Sequence, residues 1–410
     1  MILGKLYLGL ELNRDYAMIS TCVDDTLGPE TVSPVAGSEN YRIPVALAKR
    51  KGIGQWYYGE DALSYARDRE AVLVDDLYFR AMNRETVRVE EEEYSCPELL
   101  AMFLGKLLLL TRRLGRDLPV GKLCVVLPEL DMNNTSVVRE ALRKNELLDH
   151  QFFLTDAKES FYYYALNQSK ELITYDNALF YYANGMLRGV MLSRNTHTTP
   201  QVVTLEETNY GMLLEDRDEE FTEIIKTAFA HRIVSAAYLT GDGFDGEWMK
   251  ESLKTLCRSR KAFSGKNLFT RGACFAALVK GGIKAWNYAY IGDNELKINV
   301  SVKVRKEGEI AFLPLLSAGE SWYEAEGAVE AILDGDPTVD FWLQEPRSRE
   351  AKIQSVELMD FPERENKTTR LRITAKPVSD EKIKVTVKDL GFGDISRASE
   401  MHWEHLIWAN

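Results

Sequence analysis

Glu11, Asn13 and Arg14 give the first hint of chemistry in this sequence. They lie in "KLYLGLELNRDYAMIS" (residues 5–20), where Leu6, Leu8, Leu10 and Leu12 alternate with Tyr7, Gly9 and Glu11. That alternation predicts a strand with one buried face, and "YAMISTCV" predicts its return after an Asn13-Arg14-Asp15 turn. A carboxylate at the end of a strand, followed by a tight turn, is suited to holding phosphate. The acid accepts from a metal-bound water, and turn N–H groups reach the phosphate oxygens. Here the turn carries Asn13 and Arg14 instead of small residues, so Arg14 stands as a side-chain grip in place of backbone donors. The same residues also suit an exposed strand end and a surface turn. A second hairpin is predicted over residues 177–194 around Asn184-Gly185, a dipeptide that accepts the left-handed backbone of a two-residue turn. Gly241-Asp242-Gly243-Phe244 then joins a strand to a helix. It is either a phosphate-contacting turn or an ordinary one that needs glycine for positive φ. Asp156, just before "AKESF", reads as a helix N-cap.

The elements that must position these residues alternate between strand and helix. "SCPELLAMFLGKLLLLTRRLG" predicts a helix and "KLCVVLPEL" a strand buried on both faces. "TSVVREALRKNELL" (helix), "HQFFLTD" (strand) and "AKESFYYYALNQ" (helix) follow. After the second hairpin come a helix over residues 217–232, the strand-turn "IVSAAYLTGDGF", and two further helices ending near Lys284. The basic stretch "CRSRKAFSGK" (257–266) reads as a solvated helix end. From Glu295 onward the pattern is nearly all strand: in "LKINVSVKV", Ile298, Val300, Val302 and Val304 alternate with polar residues, and four later segments repeat this. The predicted organisation is an α/β domain over residues 1–284, a linker at 285–294, and an all-β sandwich over 295–410.

Composition limits the choices. The chain has 410 residues and a net charge of −12, which disfavours binding to a phosphate backbone; no nucleic-acid partner is expected. No apolar run is long enough to span a bilayer, and the first residues lack the features of a signal peptide. A cytoplasmic protein with no membrane partner is therefore expected. Five dispersed cysteines without a Cys-x-x-Cys pair fit reduced thiols, and no metal-ligand set stands out.

The ordered series of motifs resembles the DnaK-type heat-shock chaperones, whose ATPase domain has the actin-like (ribonuclease-H-like) fold. "RIPVALAKRKGIGQWYYGEDA" and "CPELLAMFLGKLLLL" are similar to early segments of that family. "KLCVVLPEL" through "AKESFYYYAL" follows its central run, and "AAYLTGDGFDGEWMKESL" looks like its adenosine turn. "FTRGACFAAL" resembles the helix behind that turn, and "LPLLSAGESWYEAEG" with "KIKVTVKDLGFGD" resembles the substrate-binding sandwich. The resemblance implies ATP or ADP with Mg²⁺ as cofactor. It places Glu11, Asn13 and Arg14 at the first phosphate hairpin and Asn184 and Gly185 at the second. Gly241, Asp242, Gly243 and Phe244 fall at the adenosine turn, and Asp156 near the attacking water.

The departures are as specific. Tyr181 or Tyr182 stands where the second hairpin of the family carries an acid, and only about 45 residues separate Arg194 from Thr240, where the family inserts a whole subdomain. No helical lid is expected after the sandwich. The resemblance thus implies a degenerate nucleotide site, with weak or no ATP hydrolysis and the option of binding no nucleotide. Glu11 and Asp156 remain as candidate catalytic acids. The expected role is that of a chaperone-like adaptor or assembly factor that binds other proteins through the sandwich. An active ATP-driven chaperone and a polymerising actin-like protein are the alternatives.

Overall fold

The computed structural model describes residues 4–35, 37–114, 118–214, 216–345, 350–379, 381–399 and 401–408. The chain divides into two compact units, Met1–Tyr290 and Ile291–Asn410. The first is mixed α/β and the second is built from antiparallel sheets.

In the first unit, strands β1 (Leu6–Leu12), β2 (Tyr16–Cys22), β3 (Glu30–Thr31), β4 (Val120–Val126) and β5 (Phe152–Thr155) form a sheet in the order β5-β4-β1-β2-β3. β1–β2 and β2–β3 are antiparallel; β1–β4 and β4–β5 are parallel. Helix α1 (Ala157–Leu166) follows β5. A second sheet then uses β6 (Asp176–Ala183), β7 (Met186–Asn195), β8 (Gln201–Gly211), β9 (Val234–Thr240) and β10 (Lys261–Ser264), in the order β10-β9-β6-β7-β8. Its pairings have the same directions, antiparallel for β6–β7 and β7–β8, parallel for β6–β9 and β9–β10. Helix α2 (Leu268–Lys280) follows β10.

The helices between strands also match. Cys96–Leu110 precedes β4 and Met132–Lys144 precedes β5, as Arg217–Ala228 precedes β9 and Glu251–Leu256 precedes β10. Each half is therefore written β-β-β-α-β-α-β-α. The first half carries extra material between β3 and Cys96, including the sheet formed by Leu47–Arg50, Trp56–Tyr58 and Ala71–Val74.

The halves exchange their last helices. α2 lies on the first sheet, where a Cβ on Gly9 would stand 2.1 Å from the Thr270 carbonyl oxygen, so β1 must be bare at that position. Thr270 Oγ1 donates to the Gly9 carbonyl (2.9 Å), and Cys274 Sγ bonds to the Tyr7 carbonyl (3.2 Å). α1 sets Phe161 and Tyr164 edge-on to Tyr238 of β9, with ring centroids 5.9 and 5.6 Å apart. The two helices cross at Gly272, whose Cβ would meet the Ser160 carbonyl at 2.1 Å.

Several strands differ from the sequence expectation, among them Ala71–Val74, Thr86–Val89, Glu92–Ser95 and two in the second half. β8 was not foreseen, because its residues alternate weakly and are largely exposed. Residues 261–264, expected at a helix end, form β10. A four-residue strand at a sheet edge carries too little periodicity to be read.

The second unit holds two four-stranded antiparallel sheets. β11 (Asn299–Lys306), β12 (Glu309–Leu316), β14 (Thr338–Gln344) and β15 (Lys352–Glu357) are ordered β12-β11-β14-β15. β13 (Gly327–Ile332), β16 (Arg370–Pro377), β17 (Lys382–Gly391) and β18 (His402–Trp408) are ordered β13-β16-β17-β18. Alternate side chains such as Val300, Val302, Phe341, Ile373, Val385 and Val387 are buried, as the sequence alternation requires. Among the described residues, no helix is long and apolar enough to cross a membrane.

Candidate functional site

The most unusual electrostatics lie where β1 ends. Glu11 is the last polar residue of β1 before Leu12 and is only 3% exposed. Its Oε1 accepts from Asn13 Nδ2 (2.9 Å) and from the Tyr16 hydroxyl (3.0 Å) across the hairpin turn. Oε2 is buried without a hydrogen-bond partner. Burial disfavours the charged form and pushes the carboxyl up to about 7, against the smaller opposing pull of Asn13, Tyr16 and Arg42. The Tyr16 phenol is in turn driven well above its ordinary value by burial and by Glu11, and Tyr181 is raised by the same two causes.

Arg42 closes this cluster. Its guanidinium lies over the Tyr16 ring at 4.3 Å and pairs with Asp242 at 2.7 Å. Arg42 Nε is buried without a partner. Asp242 sits at the head of the turn after β9, where hydrogen bonding from Arg42 holds its carboxyl below the usual range and Lys266, 3.6 Å away, adds to the effect. The first hairpin and the turn after β9 are thus joined by the protein's own ion pair.

The glycines of that turn serve packing against β6. Gly241 has φ 104°, and a Cβ there would meet the Tyr182 carbonyl oxygen at 2.2 Å. A Cβ on Gly243 would lie 2.3 Å from the Tyr182 ring. Phe244 is buried against Tyr182, Phe221 and Trp248, and Trp248 Nε1 donates to the Gly243 carbonyl (3.0 Å).

The structure therefore gathers Glu11 and Asn13 on one side and Asp242 on the other, with Arg42 between them. The remaining sequence candidates have other partners. Arg14 is exposed, pairs with Asp76 and lies 5.3 Å over Phe79. Asp156 accepts from the Glu159 backbone N–H (2.7 Å) and caps α1. Asn184 and Gly185 take φ 53° and 75°, as a two-residue turn between β6 and β7 demands. Gly185→Ala should cost about 1 kcal/mol, because alanine is strained at that φ, and should leave the Glu11 cluster intact; chemical denaturation checks it. Arg42, Tyr16 and Lys266 had no signal in the sequence. Among the described residues, no three His, Cys, Asp or Glu side chains form a group that could hold a metal ion.

A family profile described as "Family of unknown function (DUF5716) C-terminal" matches residues 28–293. The chain belongs to this family. A second profile, "Domain of unknown function (DUF8552)", matches residues 295–409. No curated protein matches the chain. In this member of the DUF5716 family, the matched region includes Arg42, Asp242 and both glycines packed on Tyr182, while Glu11 and Tyr16 lie ahead of it.

Proposed function

We propose that the first unit is an actin-like, duplicated ribonuclease-H-like domain whose cleft is occupied by its own side chains. The chain then works as a chaperone-like adaptor or assembly factor with little or no ATP hydrolysis. The repeated β-β-β-α-β-α-β-α order and the exchanged helices support the actin-like reading. The Arg42–Asp242 pair carries the functional one, because it spans the place between the first hairpin and the turn after β9 where a nucleotide phosphate would lie.

A magnesium nucleotide fits these residues poorly. Glu11 is held neutral up to about pH 7 and is a weak acceptor for a metal-bound water in that form. The charge of Asp242 is already met by Arg42 and Lys266, and Tyr182 fills the space beside Gly241 and Gly243. Phosphoryl transfer relies on positioned charge, and little is left for it here. The binding role then falls to the second unit, read as a sandwich that engages other proteins.

One observation favours the alternative of an active, nucleotide-driven chaperone: Glu11 Oε2 and Arg42 Nε are buried without partners, as a kept ligand site would leave them. Calorimetric titration with ATP and ADP, each with Mg²⁺, separates the two. The expected result is no heat and no thermal shift at millimolar nucleotide. Nucleotide present at about a hundred times its Kd would instead add about 2.7 kcal/mol of stability, and that outcome would overturn the proposal.

A further inference from the structure

The exposed face of sheet β13-β16-β17-β18 is positive, in a chain whose net charge is −12. Arg370, Arg372 and Lys376 project from β16, and Lys382, Lys384 and Lys388 from β17, while the alternate residues of both strands are buried. Register sets cations directly opposite one another: Arg372 faces Lys388, and Lys376 faces Lys384. His402 of β18 extends the first of these rows beyond Lys388. Like charges directly opposed across a ladder destabilise a sheet.

The carboxylates that reach this face compensate it only in part. Glu330 pairs with Arg372 (2.6 Å) and lies 3.6 Å from Arg370; Glu326 lies 3.6 Å from Lys376, and Glu404 pairs with Lys384 (2.8 Å). Among the described residues, Lys388 has no carboxylate partner. Arg370, Arg372 and Lys376 each keep about half of their side chain in water. A face that serves only to solvate an acidic protein has no need of opposed cations.

We propose that this face docks a short acidic segment of a partner protein. The inference rests on the protein-binding reading above and gives the partner its chemistry. The two cation rows are four residues apart, about 13 Å along the strand, a span that four or five extended residues cover. Thr374 and Thr386 face each other between the rows, with Thr374 Oγ1 donating to the Thr386 carbonyl (3.3 Å). A long nucleic acid is disfavoured by the net negative charge of the chain. Trp408, the aromatic of this face, is 46% exposed with Lys382 Nζ 4.6 Å from its ring centroid, so the octathymidylate arm of the test below also probes it.

The test uses the full chain with fluorescein-labelled octaglutamate and octathymidylate, read by anisotropy. Octaglutamate should bind, and binding should weaken between about 50 and about 200 mM salt. Lys376→Glu with Lys388→Glu should reduce the affinity at least tenfold. Each change places an acid opposite a cation, which offsets the loss of the exposed Lys376–Glu326 pair, so the melting temperature of the double variant should stay close to that of the unaltered protein, which separates lost binding from lost folding. Equal binding by the variant, or no binding by the unaltered protein at low salt, overturns the inference and leaves the nucleotide-free reading to the calorimetry. Tighter binding of octathymidylate overturns both the inference and the reading of the partner as a protein.

Discussion

Glu11→Gln should abolish about 3 kcal/mol of stability loss that the unaltered protein suffers between pH 4.5 and pH 7. The sign follows from which state holds the proton. The carboxyl has a value of about 7 in the fold and 4.5 as a free side chain. Below 4.5 both states are protonated and the folded state keeps its full advantage. Between 4.5 and 7 the unfolded chain releases the proton while the folded chain retains it, so stability falls as pH rises. Above 7 the loss is complete, and the buried carboxylate stands with Oε2 unpartnered. Glutamine is neutral throughout and keeps the acceptor that Asn13 and Tyr16 use. Urea denaturation of both proteins at about pH 5 and about pH 8 reads the difference. The comparison is of slopes, so a constant cost of the amide does not affect it. A protein that instead gains stability with rising pH through Glu11 would have an ionised acid there, and the argument that Glu11 is a poor acceptor for a metal-bound water would fail.

Asp389→Ala should unfold or nearly unfold the second unit, at a cost of about 3–5 kcal/mol. Asp389 is fully buried. It takes two hydrogen bonds from Arg364 (3.0 and 2.8 Å), one each from the Ser399 backbone N–H (2.8 Å) and Oγ (2.6 Å), and one from the Gly391 N–H (2.8 Å). Alanine leaves the Arg364 side chain, 12% exposed in the native pair, facing nothing of opposite charge among these groups. Burial alone would raise the Asp389 carboxyl, but the bonds from Arg364, Ser399 and Gly391 outweigh it and bring the group to about 2. Its contribution is therefore present above about 4 and is lost as pH falls toward 2. Tryptophan fluorescence during denaturation follows this unit through Trp322, Trp342 and Trp403. A loss below about 1 kcal/mol would mean that the pair is open to solvent.

The sequence carried the local part of this architecture and little of the site. Alternation in residues 6–12 and 297–304 marks strands because one face of each is buried, and Asn184-Gly185 marks a turn because both residues adopt positive φ. The site depends on contacts that no local pattern records. Arg42 meets Asp242 across 200 positions, and nothing around Arg42 distinguishes it from a surface cation. Gly241 and Gly243 announced a turn correctly, but the reason for glycine is the nearness of Tyr182, which is a property of the folded chain. Arg14, prominent in the sequence, is held by Asp76 at a distance that only the tertiary fold sets.

The exchange of α1 and α2 constrains how the chain is made. β1 leaves the ribosome well ahead of its cover, because Thr270, which closes over Gly9, lies 261 positions later. At about 5–20 residues per second, the buried face of the first strand waits roughly 10–50 s for its cover. The first half cannot complete its interior in that time, because it lacks the helix that the second half supplies. A nascent chain of this length therefore exposes apolar strand edges throughout its synthesis, and its yield in the cell depends on what shields them until residue 280 has emerged.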